Sequence, residues 1–256
     1  MRTSSVSNPP AETIKASDTT LKSWTPMAAI FCAVILWGSS FAAMGYVLQF
    51  LNPWSVMWLR MIIPLMLLLP QAGHLMKGIS FRNDLSLILP MVLFQPCLYF
   101  LLEANALKLT TSSQAGVVSA FVPLMVTIGA YITLREPLGR RSIIGISISL
   151  FGVTMLTLMQ GEESHASNPY IGNTLELLAM ACAAGNMLII KKLSSRYNPW
   201  ALTAMQIFGG TVFFLPGLWF LIQTPAAHFS PGLTMIIVYL GIGVTLGAFG
   251  CYNWGM

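Results

Sequence analysis

The chain has 256 residues, 55% of them hydrophobic and 8% charged, with 13 Lys and Arg against 8 Asp and Glu for a net charge of +5. Soluble domains carry roughly a quarter charged residues, so this composition excludes a water-soluble globule and gives the positive balance a membrane rather than a nucleic-acid explanation. Cys32, Cys97, Cys182 and Cys251 lie in apolar runs with no C-x-x-C pair, and read as packing residues rather than disulfides or metal ligands.

In chain order, residues 1–25 come first as a Ser-, Thr- and Pro-rich segment, read as a disordered cytoplasmic tail; it has no short apolar core with a cleavage site of the signal-peptide kind. Eight apolar runs follow, at about 26–50, 55–72, 85–103, 113–134, 142–159, 172–190, 201–222 and 232–254. Each approaches the roughly 20 residues a helix needs to cross the hydrocarbon core. None shows the period-2 alternation of barrel strands, so the predicted fold class is an all-α membrane protein, a multi-helix transmembrane bundle.

Positive loops stay in the cytoplasm. The tail and alternate loops hold eleven cations, Arg2, Lys15, Lys22, Lys77, Arg82, Arg135, Arg140, Arg141, Lys191, Lys192 and Arg196, while the opposite loops hold Lys108 alone. The amino terminus is therefore expected inside. Arg60 is left within a span, and Glu162 and Glu163 fall in the long outer loop.

The phrase Asn-Pro-Trp occurs twice, at Asn52–Trp54 and at Asn198–Trp200, 146 residues apart. The same offset carries Arg60 to Gln206 and Pro70 to Pro216, and an offset of 149 carries Glu103 to Tyr252. Ordinary loop punctuation would explain one shared tripeptide, but a fixed offset through helix starts and a distal proline points to duplication. Five spans separate an element from its copy, and an odd number inverts it, giving an inverted-topology repeat.

"AVILWGSSFAAMGYVLQFLNPWSVMWLRMIIPLMLLLP" resembles the first two helices of the EamA-type branch of the drug/metabolite transporter superfamily. "TTSSQAGVVSAFVPLMVTIGAYITLREPLGRRSIIGISISLFGVTML" is similar to that family's fourth and fifth helices, with the hinge glutamate at Glu136, and "GNTLELLAMACAAGNMLIIKKL" to the start of its second half. The resemblance implies ten helices in two five-helix copies around a central cavity, and secondary transport of small metabolites, amino-acid-like compounds or toxic analogues, with export the expected direction. It divides the chain into a first repeat over 26–159 and a second, three-helix repeat over 172–256. The expectation is a truncated product whose complete form would run roughly fifty residues further; the alternatives are an eight-helix variant completed by homodimerisation and a non-transporting scaffold.

Polar groups at membrane depth tend to face the bundle interior. The candidates for lining a cavity are Trp37, Ser39 and Ser40 in the first span, Gln95 and Tyr99 in the third, Gln114 in the fourth, Asn186 in the sixth, Gln206 in the seventh, and Tyr252 and Asn253 in the eighth. Interhelical hydrogen bonding is the alternative role for each. Ser112, Gly116 and Ala120, and Gly243 with Gly247, read as close-packing faces, and Pro64, Pro90, Pro96, Pro123 and Pro216 as kinks. Arg60 has two readings, a headgroup anchor reached by snorkelling or a gate paired with Glu103, with Glu176 at the same expected depth. His74, His165 and His228 fall in loops, and H-E-x-x-H, G-x-S-x-G and P-loop patterns are missing, so neither an enzyme nor a cofactor is expected. The expected partners are a small-molecule substrate and the lipid bilayer, with no nucleic acid.

Overall fold

The computed structural model describes residues 17–75, 81–135, 167–226 and 229–255, with a few more between 139 and 155. Most of the fifth expected span, the Glu136 hinge, Glu162, Glu163, His165 and His228 lie outside the described residues. The described residues form helices: α1 (Ser17–Val47), α2 (Pro53–Leu68), α3 (Ala72–Leu75), α4 (Phe81–Val92), α5 (Tyr99–Ala106), α6 (Ser112–Ser119), α7 (Val122–Leu134), α8 (Pro169–Leu193), α9 (Pro199–Phe213), α10 (Gly217–Ile222), α11 (Pro231–Val238) and α12 (Phe249–Gly255). Helix α1 starts inside the stretch read as tail, because its polar first turns continue the helix beyond the apolar part that begins at Trp24.

Among the described residues, six helical stretches are long and apolar enough to cross a membrane: Trp24–Val47, Pro53–Leu75, Asp84–Ala106, Ser112–Thr133, Pro169–Leu193 and Pro231–Gly255. The seventh expected span is present as α9 and α10, interrupted at Phe214–Pro216. The third span leaves helical geometry at Gln95 (φ −145°, ψ 120°), immediately before Pro96. The fourth breaks ahead of Pro123, which takes the first turn of α7. Proline lacks the N–H that a helix interior requires, and in membranes such breaks persist where neighbouring protein satisfies the freed groups. Pro64 and Pro90 stay within α2 and α4.

The two Asn-Pro-Trp phrases are matching helix starts. Asn52 is extended (φ −64°, ψ 139°) and its Oδ1 accepts from Trp54 N at 3.0 Å; Asn198 repeats this (φ −59°, ψ 134°), accepting from Trp200 N at 2.9 Å. Proline follows at the first helical position in both, where its missing N–H is no loss. The helices so begun lie antiparallel. Trp54 meets Gly217, Met61 meets Gly210, and Leu68 joins a core cluster with Ala204 and Ile207. Steps forward in α2 are thus steps back in its partner, as an inverted repeat requires when two copies pack around their shared axis.

Around this pair, α8 packs on α5 and α7, and α1 packs on the last span. The main core joins Met44, Met57, Met61, Phe100, Met180, Phe214, Leu240, Val244 and Phe249, while Phe31, Ile132, Ile222 and Met235 are exposed on the apolar outside. An apolar exterior is what lipid demands. This is an integral membrane bundle.

The glycine reading needs correction. A Cβ at Gly116 would meet open space, at Gly243 it would meet the Tyr239 ring of its own span, and at Gly247 it would make ordinary contact with the Ile242 carbonyl and with Leu36 of α1. The backbone-to-backbone approaches fall elsewhere: Gly217 abuts the Trp54 carbonyl and Gly172 abuts Thr110 N. Ser112 does sit close to α1, donating to the Phe41 carbonyl at 3.0 Å.

Candidate functional site: two polar clusters and a cavity

Toward the Asn52 end of the bundle, four spans bring charge together. Arg60 comes from α2, two turns after its Asn52 cap; Tyr99 and Glu103 sit one turn apart on α5; Glu176 comes from the second turn of α8, after its Asn168 cap. Thr245 lies in the π-helical stretch Tyr239–Ala248. Arg60 is 1% exposed, Glu103 1% and Glu176 0%. The Arg60 Nε donates to Thr245 Oγ1 at 2.9 Å, and its guanidinium lies 4.1 Å from the Phe100 ring centre. Its Nη1 is 3.8 Å from Glu103 Oε2, an ion pair longer than a hydrogen bond, and Tyr99 donates to Glu103 Oε1 at 2.7 Å. Arg60 Nη1, Glu103 Oε2 and both Glu176 carboxyl oxygens have no hydrogen-bond partner among the described residues. A snorkelling arginine keeps its charge in the headgroups, whereas this one is enclosed by protein. Thr245 and Phe100 were missed from the sequence; a threonine in an otherwise apolar span was the available signal for the first.

Toward the Asn198 end, the counterpart cluster is neutral. Asn186 donates to Gln95 Oε1 at 3.0 Å, and Gln206 Nε2 donates to the Gln95 carbonyl at 3.1 Å and to Asn186 Oδ1 at 3.3 Å. Asn253 donates to Thr203 Oγ1 at 2.9 Å and to Gln206 Oε1 at 3.2 Å. The Gln95 carbonyl is free to accept because the helix breaks there. At the same end Asp84 takes a 2.7 Å bond from Arg196 Nη1 and the Tyr197 hydroxyl, tying α4 to the loop after α8. The sequence reading did not single out that group.

Between the clusters lies a cavity of about 480 Å³, within the range of small-molecule pockets. Trp37, Phe41, Gln95, Tyr99, Ser119 and Tyr252 are among its lining residues. Gln95 belongs to the neutral cluster and Tyr99 to the charged one, so the cavity touches both. Trp37 and Tyr252 stand 5.3 Å apart between ring centres, and the Trp37 indole N–H has no partner. Of the ten cavity candidates, Trp37, Gln95, Tyr99 and Tyr252 line this space; Asn186, Gln206 and Asn253 hold the neutral cluster beneath it. Ser40 is buried and donates to the Trp37 carbonyl at 2.7 Å, whereas Ser39 is exposed, 2.5 Å from the Tyr239 hydroxyl. Gln114 sits apart, with its Oε1 2.6 Å from Thr110 Oγ1, which is 2.7 Å from Asn173 Oδ1.

A cavity lined in part by the broken third and fourth spans, with polar clusters toward either end of a lipid-facing bundle, fits a membrane transporter. Residues 24–158 and 170–256 match the EamA-like transporter family, and the chain belongs to it, within the drug/metabolite transporter superfamily. An uncharacterized transporter of Archaeoglobus fulgidus is 29% identical over 236 residues, spanning 91% of this chain and 79% of that protein. An uncharacterized transporter of Bacillus subtilis, YetK, is 26% identical over 63% of this chain and 48% of its own length. An S-adenosylmethionine/S-adenosylhomocysteine transporter of Chlamydia trachomatis is 26% identical over 70% of this chain and 56% of its own. The chain thus spans about half the length of the latter two. A crystal structure aligns over 90% of this chain and 78% of that one with a TM-score of 0.67 and 19% identity, a likeness of fold.

Proposed function

We propose that this chain is a secondary transporter that exports small metabolites or amino-acid-like compounds across a bacterial cytoplasmic membrane, with its amino terminus in the cytoplasm. The cavity carries the reading: it is large enough for a small metabolite, presents the aromatic rings of Trp37, Phe41, Tyr99 and Tyr252 within a mainly aliphatic lining, and offers polar contacts at Trp37 Nε1, Gln95, Tyr99, Ser119 and Tyr252. Aromatic faces bind flat rings and cations, and a few placed polar groups orient the ligand. The charged and neutral clusters are its two gates. The cluster around Arg60 closes the outer mouth and the cluster around Gln206 the inner one, an assignment supported by the eleven cations of the loops on the Asn198 side.

S-adenosylmethionine, an amino-acid derivative carrying a flat base and a cationic centre, is the first substrate to test, given the relative's name. Inside-out vesicles with the chain are expected to accumulate labelled S-adenosylmethionine or an amino acid saturably, and Trp37→Ala is expected to reduce that uptake at least tenfold. Vesicles that accumulate no compound of this class above the protein-free rate overturn the proposal and leave a scaffold as the better reading.

A further inference from the structure

We propose that Arg60, Glu103 and Glu176 form one proton-binding site, in which the two carboxylates share a single exchangeable proton; this rests on the transporter reading, with the proton as the coupling ion. The side chains come from three different spans and are each at most 1% exposed. Counted as ions, one guanidinium and two carboxylates leave a net charge of −1 enclosed by protein at membrane depth. An uncompensated charge there costs several kcal/mol, and one added proton removes it.

The hydrogen-bond pattern marks the place where it would sit. Glu103 Oε1 is engaged by Tyr99, while Glu103 Oε2 and both Glu176 oxygens have no partner among the described residues. Buried polar atoms are rarely left so. A metal cation would lie beside the Arg60 guanidinium, already 3.8 Å from Glu103 Oε2, and be repelled by it. A proton needs no coordination shell.

Among the described residues, the helices packed around these side chains add no second fixed charge at this depth; Lys108, just after α5, is exposed. Arg60 comes from α2, Tyr99 and Glu103 from α5 and Glu176 from α8, while Tyr239, of the last span, has its hydroxyl against Ser39 Oγ. Helix α6 carries no ionisable side chain; the ionisable group of α7 is Tyr131, near its far end, and Asp84 of α4 is held by Arg196 and Tyr197 at the other end of the bundle. Tyr99 lines the cavity and bonds Glu103, so a molecule in the cavity is one hydrogen bond from the proton. That contact is a direct route by which substrate and proton sense each other.

The charge count predicts a pattern that a merely buried neutral acid does not. Infrared spectra of the purified protein at neutral pH are expected to show the C=O stretch of one protonated carboxyl, shifting to lower frequency in D2O. Glu176→Gln and Glu103→Gln, both close to isosteric, each leave one carboxylate against one guanidinium, so the band is expected to vanish in either variant. Arg60→Gln leaves two acids without a cation, and the band is expected to double. A band that survives Glu103→Gln, an absent wild-type band, or a band insensitive to D2O overturns the shared site. None of these readouts requires substrate, so a failure of transport is seen separately in the vesicle assay.

Discussion

Arg60 and Gln206 each lie eight residues after an Asn-Pro-Trp helix start, and their surroundings explain why one position carries charge and the other an amide. Arg60 has an acid beside it, a hydroxyl on its Nε and a ring under its guanidinium. Gln206 has the Gln95 carbonyl freed by the helix break, and two other amides. Breaking a buried ion pair costs about 3–5 kcal/mol, against about 1–3 kcal/mol for leaving one neutral polar group unmet. Arg60→Gln is therefore expected to destabilise more than Gln206→Leu, which thermal unfolding in detergent checks. Glu103→Gln in the Arg60→Gln background is expected to add less than it does alone, a coupling of about 0.5–3 kcal/mol; additive effects leave Arg60 without a functional partner in Glu103. The choice of Glu103 as partner was legible because acids within apolar runs are few. Thr245, Phe100 and the Asp84–Arg196–Tyr197 group were not, since hydroxyl, ring and loop contacts depend on how spans rotate, which composition does not encode.

Helix pairs are where the duplicated phrase takes effect. Asn52 and Asn198 start two antiparallel helices with the same cap, and Asn198→Ala is expected to cost about 1 kcal/mol. The start of one presses on the break in the other: Gly217 abuts the Trp54 carbonyl, while Ser55 Oγ donates to the Gly217 carbonyl at 3.0 Å. Gly217→Ala is expected to lower the melting temperature clearly, because backbone must move to admit the methyl group. Gly116→Ala is expected to leave it unchanged or slightly raised, its Cβ pointing into open space. A thermal-shift assay of the two variants separates them, and equal losses would contradict this packing. Small residues at helical spacing suggested the reverse assignment, because spacing identifies a face but not the face that meets a neighbour. The spans and the breaks at Pro96, Pro123 and Pro216 were readable from local chemistry, whereas Pro64 and Pro90 stay within helices; the interruption at Gln95, which turns a proline kink into an acceptor for Gln206, was not readable.

At the scale of the whole molecule, the placement of cations predicts orientation and the two clusters predict alternation. Single cysteines at Ser167 and Ser230 are expected to react with an impermeant thiol reagent from outside, and one at Ser194 from inside only. Labelling of Ser194 from outside would reverse the assignment of outer and inner gates. The cavity was foreseen only as a set of polar positions: four of them line it and three bond to one another beside it, and no spacing rule divides the two groups. The measurement that bears most directly on transport through this cavity is the two-sided accessibility of a cysteine at Ser119, in its lining, with the four native cysteines replaced. Gates that alternate predict labelling from both faces, faster from outside with Arg60→Gln and faster from inside with Gln206→Leu. Labelling from one face alone in all three backgrounds would contradict it.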